Sequence, residues 1–472
     1  MSPVTLRTIA LAISLVLCGC VRQPLRLPDT PAAGTESALP IAAGCFRCLV
    51  QAFEQASAQG AAGAAFEASA LLVLRSKELG LSAENWLDRA RTLGAEAGVA
   101  GSYVEMLGAV SPHPLGVGRE IRFDVDWRAN ARDALPEWRR LLRADKTVSE
   151  PFRLYLELSL VCSLGRISLD DPAVVRAMNA AAVVPLIQYR LGLCDPRFTD
   201  RLRAVRDAHE EFVEADFALG EYELTDPAGA DEDGALLLFR SAATYFPDSS
   251  ALQVTIGNLF TQWEEWSEAV DAYDAALQSY PEHPDALRGR MIGLSNLQRF
   301  GEAIVSATAL IDGGQWYLGD AYYWRAWNLL QRGDVMDAKR DVEHARAVTK
   351  DPRVPALAGV VEWRLEQLDA AEHELREARA AAPDMCEVAS NLGGVLSDRR
   401  EWPKAVSAYE EAASCYEVAI SRSRETLAAI QQAPSNVAAK ARLLARNNRA
   451  LSRLNQEQQL VRVRLTELRR LL

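Results

Sequence analysis

Histidine is scarce in this chain, with five in 472 residues, and none completes a metal-binding set. His209 and His373 are each followed by glutamate, as in a zinc-protease helix, but neither has a second histidine four residues on, so two imidazoles cannot share one helical face. The remaining three, His113, His283 and His344, are scattered. Glycine-rich phosphate loops, a dinucleotide fingerprint and a G-x-S-x-G nucleophile elbow are all missing. Strand-like alternation is missing too, which excludes the α/β scaffolds of kinases and glycosyltransferases. No stretch reaches the roughly 20 apolar residues that a membrane-crossing helix needs. Basic excess is absent, with 52 Lys and Arg against 64 Asp and Glu and a net charge of -12. Nucleic acid is therefore excluded as the main partner, because phosphate binding needs a basic footprint.

What is present begins with an export pattern. Arg7 precedes a short apolar run over residues 8–17 that stops at Cys18-Gly19-Cys20, as in a secretory signal. Leu17-Cys18-Gly19-Cys20 resembles the lipobox of bacterial lipoproteins, which implies a signal peptide over 1–19 and lipidation of Cys20. Ordinary signal cleavage is the other reading, since Cys18 is atypical inside such a box. Two or more acyl chains would anchor firmly, where one binds only marginally. Residues 20–44 carry Pro24, Pro28, Pro31 and Pro40 with little apolar periodicity, the composition of a tether. The expected location is a bacterial membrane, the outer membrane facing the periplasm.

Six further cysteines follow, at 45, 48, 162, 194, 386 and 415. An exported chain permits disulfides without requiring them. Cys45-Phe46-Arg47-Cys48 has no second pair to complete a zinc site, and the structural reading, a buried or disulfide-linked pair, is preferred over redox chemistry.

A period organises the rest. Ala235, Ala269, Ala303, Ala338, Ala371 and Ala405 are separated by 34, 34, 35, 33 and 34 residues. Twelve residues before four of these anchors sits a small residue, at Gly257, Ala326, Gly359 and Gly393. Four and seven residues after most of them come a large and a small residue, as in Tyr273 and Ala276 or Tyr409 and Ala412. Antiparallel helices pack closely only where small side chains face each other, and stacked hairpins bury a core that no single hairpin makes. The pattern resembles the tetratricopeptide repeat over about 206–416, which implies an all-α, right-handed solenoid of some six helical hairpins. Departures from it are Met291 at a small position, Arg325 at an apolar one, and an acidic insertion over 225–234. That insertion is no calcium loop, because Arg240 stands where a bidentate glutamate must close the site.

Residues 45–205 read as degenerate hairpins, with helices over 48–59, 64–79, 83–93, 151–164 and 184–193 and a Pro- and Gly-containing loop over 111–126. Residues 417–472 read as a C-terminal helical cap or coiled-coil segment broken at Pro434-Ser435. Its last helix carries a heptad seam of Leu444, Asn447, Leu451, Leu454, Gln458, Val461, Leu465, Leu468 and Leu472. From Lys440 onward nine basic residues face two acidic ones, while 207–233 holds eleven acidic residues and no Lys or Arg. A solvated face is one reading of each run. The sharper one brings the basic helix to the acidic stretch of another copy, a homodimer through the C-terminal helix, or to an anionic lipid surface.

No acid, base or nucleophile set converges, so the expected role is a binding scaffold without cofactor or metal, not an enzyme. The tetratricopeptide resemblance implies that the first helix of each unit lines a concave groove. Its candidate groove residues are Asn258, Arg288, Asn296, Tyr323, Trp327, Trp363 and Arg364. A protein or peptide partner in the cell envelope, in support of envelope assembly, is the first reading. The alternative is a carbohydrate-binding accessory lipoprotein that uses the aromatic patch at 316–327.

Overall fold

The computed structural model describes residues 44–110, 125–164, 168–180, 184–225, 230–432 and 437–471. The signal and its lipobox with Cys20, the tether up to residue 43, most of the 111–126 loop, the Pro434-Ser435 break and Leu472 lie outside them. The described residues form helices and turns, with no strand among them.

The first nine helices are α1 (Phe46–Ala58), α2 (Ala62–Glu78), α3 (Glu84–Glu96), α4 (Ser102–Ala109), α5 (Val125–Ala144), α6 (Glu150–Ser163), α7 (Pro172–Ala180), α8 (Pro185–Cys194) and α9 (Thr199–Ala208). Six hairpins follow. They are α10 (Glu214–Thr225) with α11 (Glu232–Tyr245), α12 (Ser250–Gln262) with α13 (Trp266–Ser279), and α14 (Pro284–Asn296) with α15 (Phe300–Gly313). Next come α16 (Leu318–Arg332) with α17 (Val335–Val348), α18 (Arg353–Arg364) with α19 (Leu368–Ala381), and α20 (Cys386–Asp398) with the longer α21 (Trp402–Gln432). A last helix, α22 (Val437–Arg469), folds back along α21. The four helices α4, α5, α7 and α9 were not expected from the sequence.

The repeat has a direct steric cause. All six anchor alanines are fully buried. A Cβ on Gly257 would stand 2.6 Å from the Tyr273 ring, one on Gly393 2.8 Å from Tyr409, and one on Gly359 2.5 Å from Leu375. The large residue of the second helix therefore occupies the space that the small residue of the first leaves open. In the third hairpin, α14 with α15, the two sizes are exchanged: buried Met291 lies opposite buried Ala307, and the two share a core cluster with Trp324 of the next unit. Arg325 is likewise accommodated. Its guanidinium makes two 2.7 Å hydrogen bonds to Asp341 and a third, of 3.1 Å, to Thr308.

The turn inside each hairpin repeats as well. Glu264, Gln298, Gly333, Glu366 and Arg400 all take left-handed backbone, with φ of 59°, 58°, 89°, 60° and 63°. Each lies five residues before its anchor. The left-handed residue ends the first helix and lets the next amide bond back, as Glu265 N does to Phe260 O at 2.9 Å.

The preceding helices abut this array. Gly80, at φ 62°, closes α2 so tightly on α12 that a Cβ there would meet that of Ala251 at 2.6 Å. Ser250 Oγ and N both bond to Gly80 O. Beneath lies a buried ionic cluster in which Arg75 pairs with Glu214, Arg190 and Tyr155 both bond to Glu78, and the Arg75 guanidinium sits 3.7 Å over the Tyr189 ring. The two cations and two anions balance, which is the condition for burying them. Disulfides join Cys45 to Cys48, Cys162 to Cys194 and Cys386 to Cys415.

Candidate functional site

Successive first helices touch one another, α12 with α14, α14 with α16, α16 with α18 and α18 with α20. They form the inner, shorter arc of the array, and the side chains they turn inward make its concave face.

Across α14, α16 and α18 this face carries a ladder of alternating charge. The Tyr317 hydroxyl donates to Asp285. Arg288 Nε donates to Asp320 at 2.7 Å, and Arg353 reaches the other oxygen of Asp320 at 3.1 Å. Arg353 Nε also donates to Asp351 at 2.9 Å. That hydrogen bond holds the guanidinium charged far above the physiological range and the Asp351 carboxyl below its usual value. Two rings lie under the cations, Tyr317 at 5.0 Å from Arg288 and Tyr323 at 4.7 Å from Arg353. Burial raises the Tyr323 hydroxyl, so the ring stays neutral. The ladder fixes its own members in place, since each charge has a partner within hydrogen-bond reach.

The residues expected in the groove all fall on first helices, and the structure distributes them unequally. Arg288 and Tyr323 belong to the ladder. Asn258 accepts a 2.8 Å hydrogen bond from the Tyr273 hydroxyl, so its carbonyl is engaged within its own hairpin. Trp327 packs edge-on against Phe300 at 5.7 Å and Trp324 at 5.8 Å. Trp363 lies on Gly394 of the next unit and donates from Nε1 to Asp398 at 2.7 Å. Asn296, which bonds back to Ile292 O, and Arg364 are exposed. Of the 316–327 patch, Tyr322 turns the other way and stacks on His344 at 5.1 Å. There a cavity of about 330 Å³ opens among α15, α16 and α17, with Arg325, Arg340 and Asp341 in its wall.

Sequence reasoning missed Asp285, Asp320 and Arg353, although they share one register. Each stands eighteen residues before its anchor, as does Glu387. Among the described residues no group of three or more His, Cys, Asp or Glu is placed to hold a metal ion. No described helix is long and apolar enough to cross a membrane.

No protein-family model matches the chain, and no curated protein matches it in sequence. Solved structures of helical-repeat proteins do resemble it. A tetratricopeptide repeat protein from Parabacteroides merdae is 17% identical, with a TM-score of 0.38, over 51% of this chain and 99% of that one. The type IV pilus biogenesis factor PilW is 19% identical, with a TM-score of 0.34, over 48% of this chain and 99% of its own. YrrB, a tetratricopeptide protein described with an unusual peptide-binding site, is 18% identical, with a TM-score of 0.32, over 38% of this chain and 91% of its own. The tetratricopeptide-type architecture itself rests on the period, the packing and the turns of this chain.

Proposed function

We propose that the chain is a scaffold that binds a protein or peptide segment along its concave face, held at a bacterial membrane through lipidated Cys20. The observation that carries this reading is the pre-positioned ladder of Arg288, Asp320 and Arg353 with its two tyrosines. Side chains already fixed by their neighbours lose little freedom when a ligand arrives, so more of the contact energy is retained as affinity. Charges of both signs and exposed amides suit a peptide backbone and its charged side chains. The carbohydrate alternative finds less support, because Trp327 meets neighbouring rings, Tyr323 is covered by Arg353, and Trp363 is spent on Gly394.

A photo-crosslinker at Asn296 or Arg364 on the inner arc, and at Val305 or Met336 on the outer, tests the site. The same partner captured from both inner positions and from neither outer one is the expected result. Equal capture from both faces, or binding to a glycan array that Tyr323→Ala and Trp327→Ala abolish, overturns it. The anchor is tested separately: Cys20→Ala should move the protein from the membrane to the soluble fraction, and an unchanged distribution rejects the lipid.

A further inference from the structure

The basic run of α22 is not a free solvated face. Its seam residues turn toward α21 of the same chain: Gln458, Val461, Leu465 and Leu468 are buried, whereas Leu444, Asn447, Leu451 and Leu454 are only half-buried. Where the seam weakens, a second set of contacts takes over. Arg442, Arg446, Arg449 and Arg453 are spaced by four, three and four residues, which places them on one helical face. All four reach back to the hairpin corner at Trp263 and Glu264 or to the neighbouring Asp233.

The corner is well formed. The Arg442 guanidinium lies 4.0 Å over the Trp263 ring and 2.6 Å from Asp233. Trp263 Nε1 donates to Glu232 at 2.5 Å. Arg449 donates to Trp263 O at 3.1 Å, and Arg449 and Arg453 approach the Glu264 carboxylate at 3.3 and 3.2 Å, with Arg446 at 3.9 Å. Glu264 is also the residue held in left-handed backbone at that turn, so its position is set by the repeat.

These contacts join residues about 185 apart in sequence, and the array from Trp263 to Trp402 lies between them. The array, the α21–α22 hairpin and the corner thus form a closed ring. An unbroken helix of 33 residues spans about 50 Å, whereas the array curves with its first helices inside, where they touch in succession. A helical strap between two points of an arc follows its chord, and a chord lies on the concave side.

The geometry points to a latch: the arginine face of α22 clasps the Trp263–Glu264 corner of its own chain and so restricts entry to the concave face. The clasp is built for release. Its arginines other than Arg442 are about half exposed, so salt screens them, and the outer half of the seam supplies little apolar hold. An acidic partner for these arginines, which one reading of the sequence placed in a second copy, is thus supplied within the chain. What the latch means for a partner rests on the groove reading above, but the clasp and its screening of the groove are measurable without any partner.

The test uses the full chain, with Glu264→Lys as the opening variant and Glu264→Lys/Arg449→Glu/Arg453→Glu as the charge-swapped rescue. Hydrogen exchange reports on residues 440–454, and residues 458–468 serve as the internal control for folding. A cysteine at Asn296→Cys, read against the parent's background, reports groove access through its rate of reaction with a bulky polyethylene-glycol maleimide. Exchange of 440–454 should rise tenfold or more in Glu264→Lys, return in the swap, and track the labelling rate at 296. An unchanged exchange in Glu264→Lys overturns the clasp. Faster exchange with unchanged labelling overturns the screening of the groove, and protection that depends on protein concentration places the clasp between two copies instead.

Discussion

Transplanting the size exchange of the unit with Met291 and Ala307 into the one with Gly257 and Tyr273 tests whether packing, and not a sequence habit, sets the repeat. Tyr273 is buried at 1% exposure and wedged between glycines, with a Cβ on Gly257 falling 2.6 Å from its ring and one on Gly289 2.1 Å. Gly257→Met alone must displace that ring and should cost about 1–3 kcal/mol or more, the usual cost of overpacking. Tyr273→Ala alone empties the space and should cost about 3–5 kcal/mol. In the Tyr273→Ala background the methionine enters vacated volume, and replacing a mid-helix glycine itself favours the helix by about 1 kcal/mol. Gly257→Met should therefore change sign, from destabilising to stabilising, with a coupling of at least about 2 kcal/mol. Rescue stays incomplete, because Gly289 stands where the other unit supplies Trp324. Urea unfolding, followed together with exchange of the α12 and α13 amides, measures all four corners of the cycle. A methionine that costs the same in both backgrounds would refute the packing account.

Other consequences are simpler to measure. Gln298→Gly and Glu366→Gly should each stabilise the array by roughly 0.5–1 kcal/mol, because glycine takes left-handed backbone without a Cβ clash, while Gly333→Ala should destabilise it by at least as much; thermal melts decide. Removing the Cys162–Cys194 bridge, which spans 32 residues, should cost roughly 3–4 kcal/mol on chain-entropy grounds, read as a lower urea midpoint in Cys162→Ala/Cys194→Ala; an unchanged midpoint would mean the bridge adds nothing. Burial pushes the Glu221 carboxyl from 4.5 up to about 8, so the folded chain keeps a proton that the unfolded chain releases. That contribution is fully present below about pH 4.5 and is lost as the pH rises through 8, and Glu221→Gln should flatten the pH dependence of stability across this window.

The helices of the array were legible because close packing demands small residues at fixed points, and those points recur at Gly257, Gly359 and Gly393. The left-handed turns were not. Only Gly333 among the five is a residue type that advertises such a backbone, and Glu264, Gln298, Glu366 and Arg400 are held there by the helices on either side. In the leading region α9 and α5 each have an apolar face, but α9 is short and strongly charged and α5 carries Pro136 within it, and charge and proline obscured the helical spacing. Cysteine pairing was beyond reach because six cysteines allow fifteen connectivities. The seam of α22 was read correctly as apolar, but periodicity reports that a helix has a partner and not which one. Its partner, α21, follows from the chain reversal between the two helices.

The departures from the repeat are mostly absorbed by packing: Met291 by Ala307, Arg325 by Asp341, and the acidic insertion by the cap that Asp231 supplies to α11 and the pairs that Glu232 and Asp233 make at the latch corner. Oddity in such an array is therefore a poor guide to a binding site. A better guide is a register that packing does not consume. Seven residues before each of the last five anchors stand Gln262, Asn296, Gln331, Arg364 and Asp398, all polar and all exposed, with Gln262 bordering the latch corner. Asp398 is engaged by Trp363, which leaves Asn296, Gln331 and Arg364 as consecutive outward-lying side chains on α14, α16 and α18. These are the three helices that carry the charged ladder. A partner held along the ladder meets this row next, so alanine at Gln331 and Arg364 should weaken capture while leaving the melting temperature within about 1 °C, as surface substitutions generally do. Loss of capture together with a large fall in melting temperature would assign the row to stability instead.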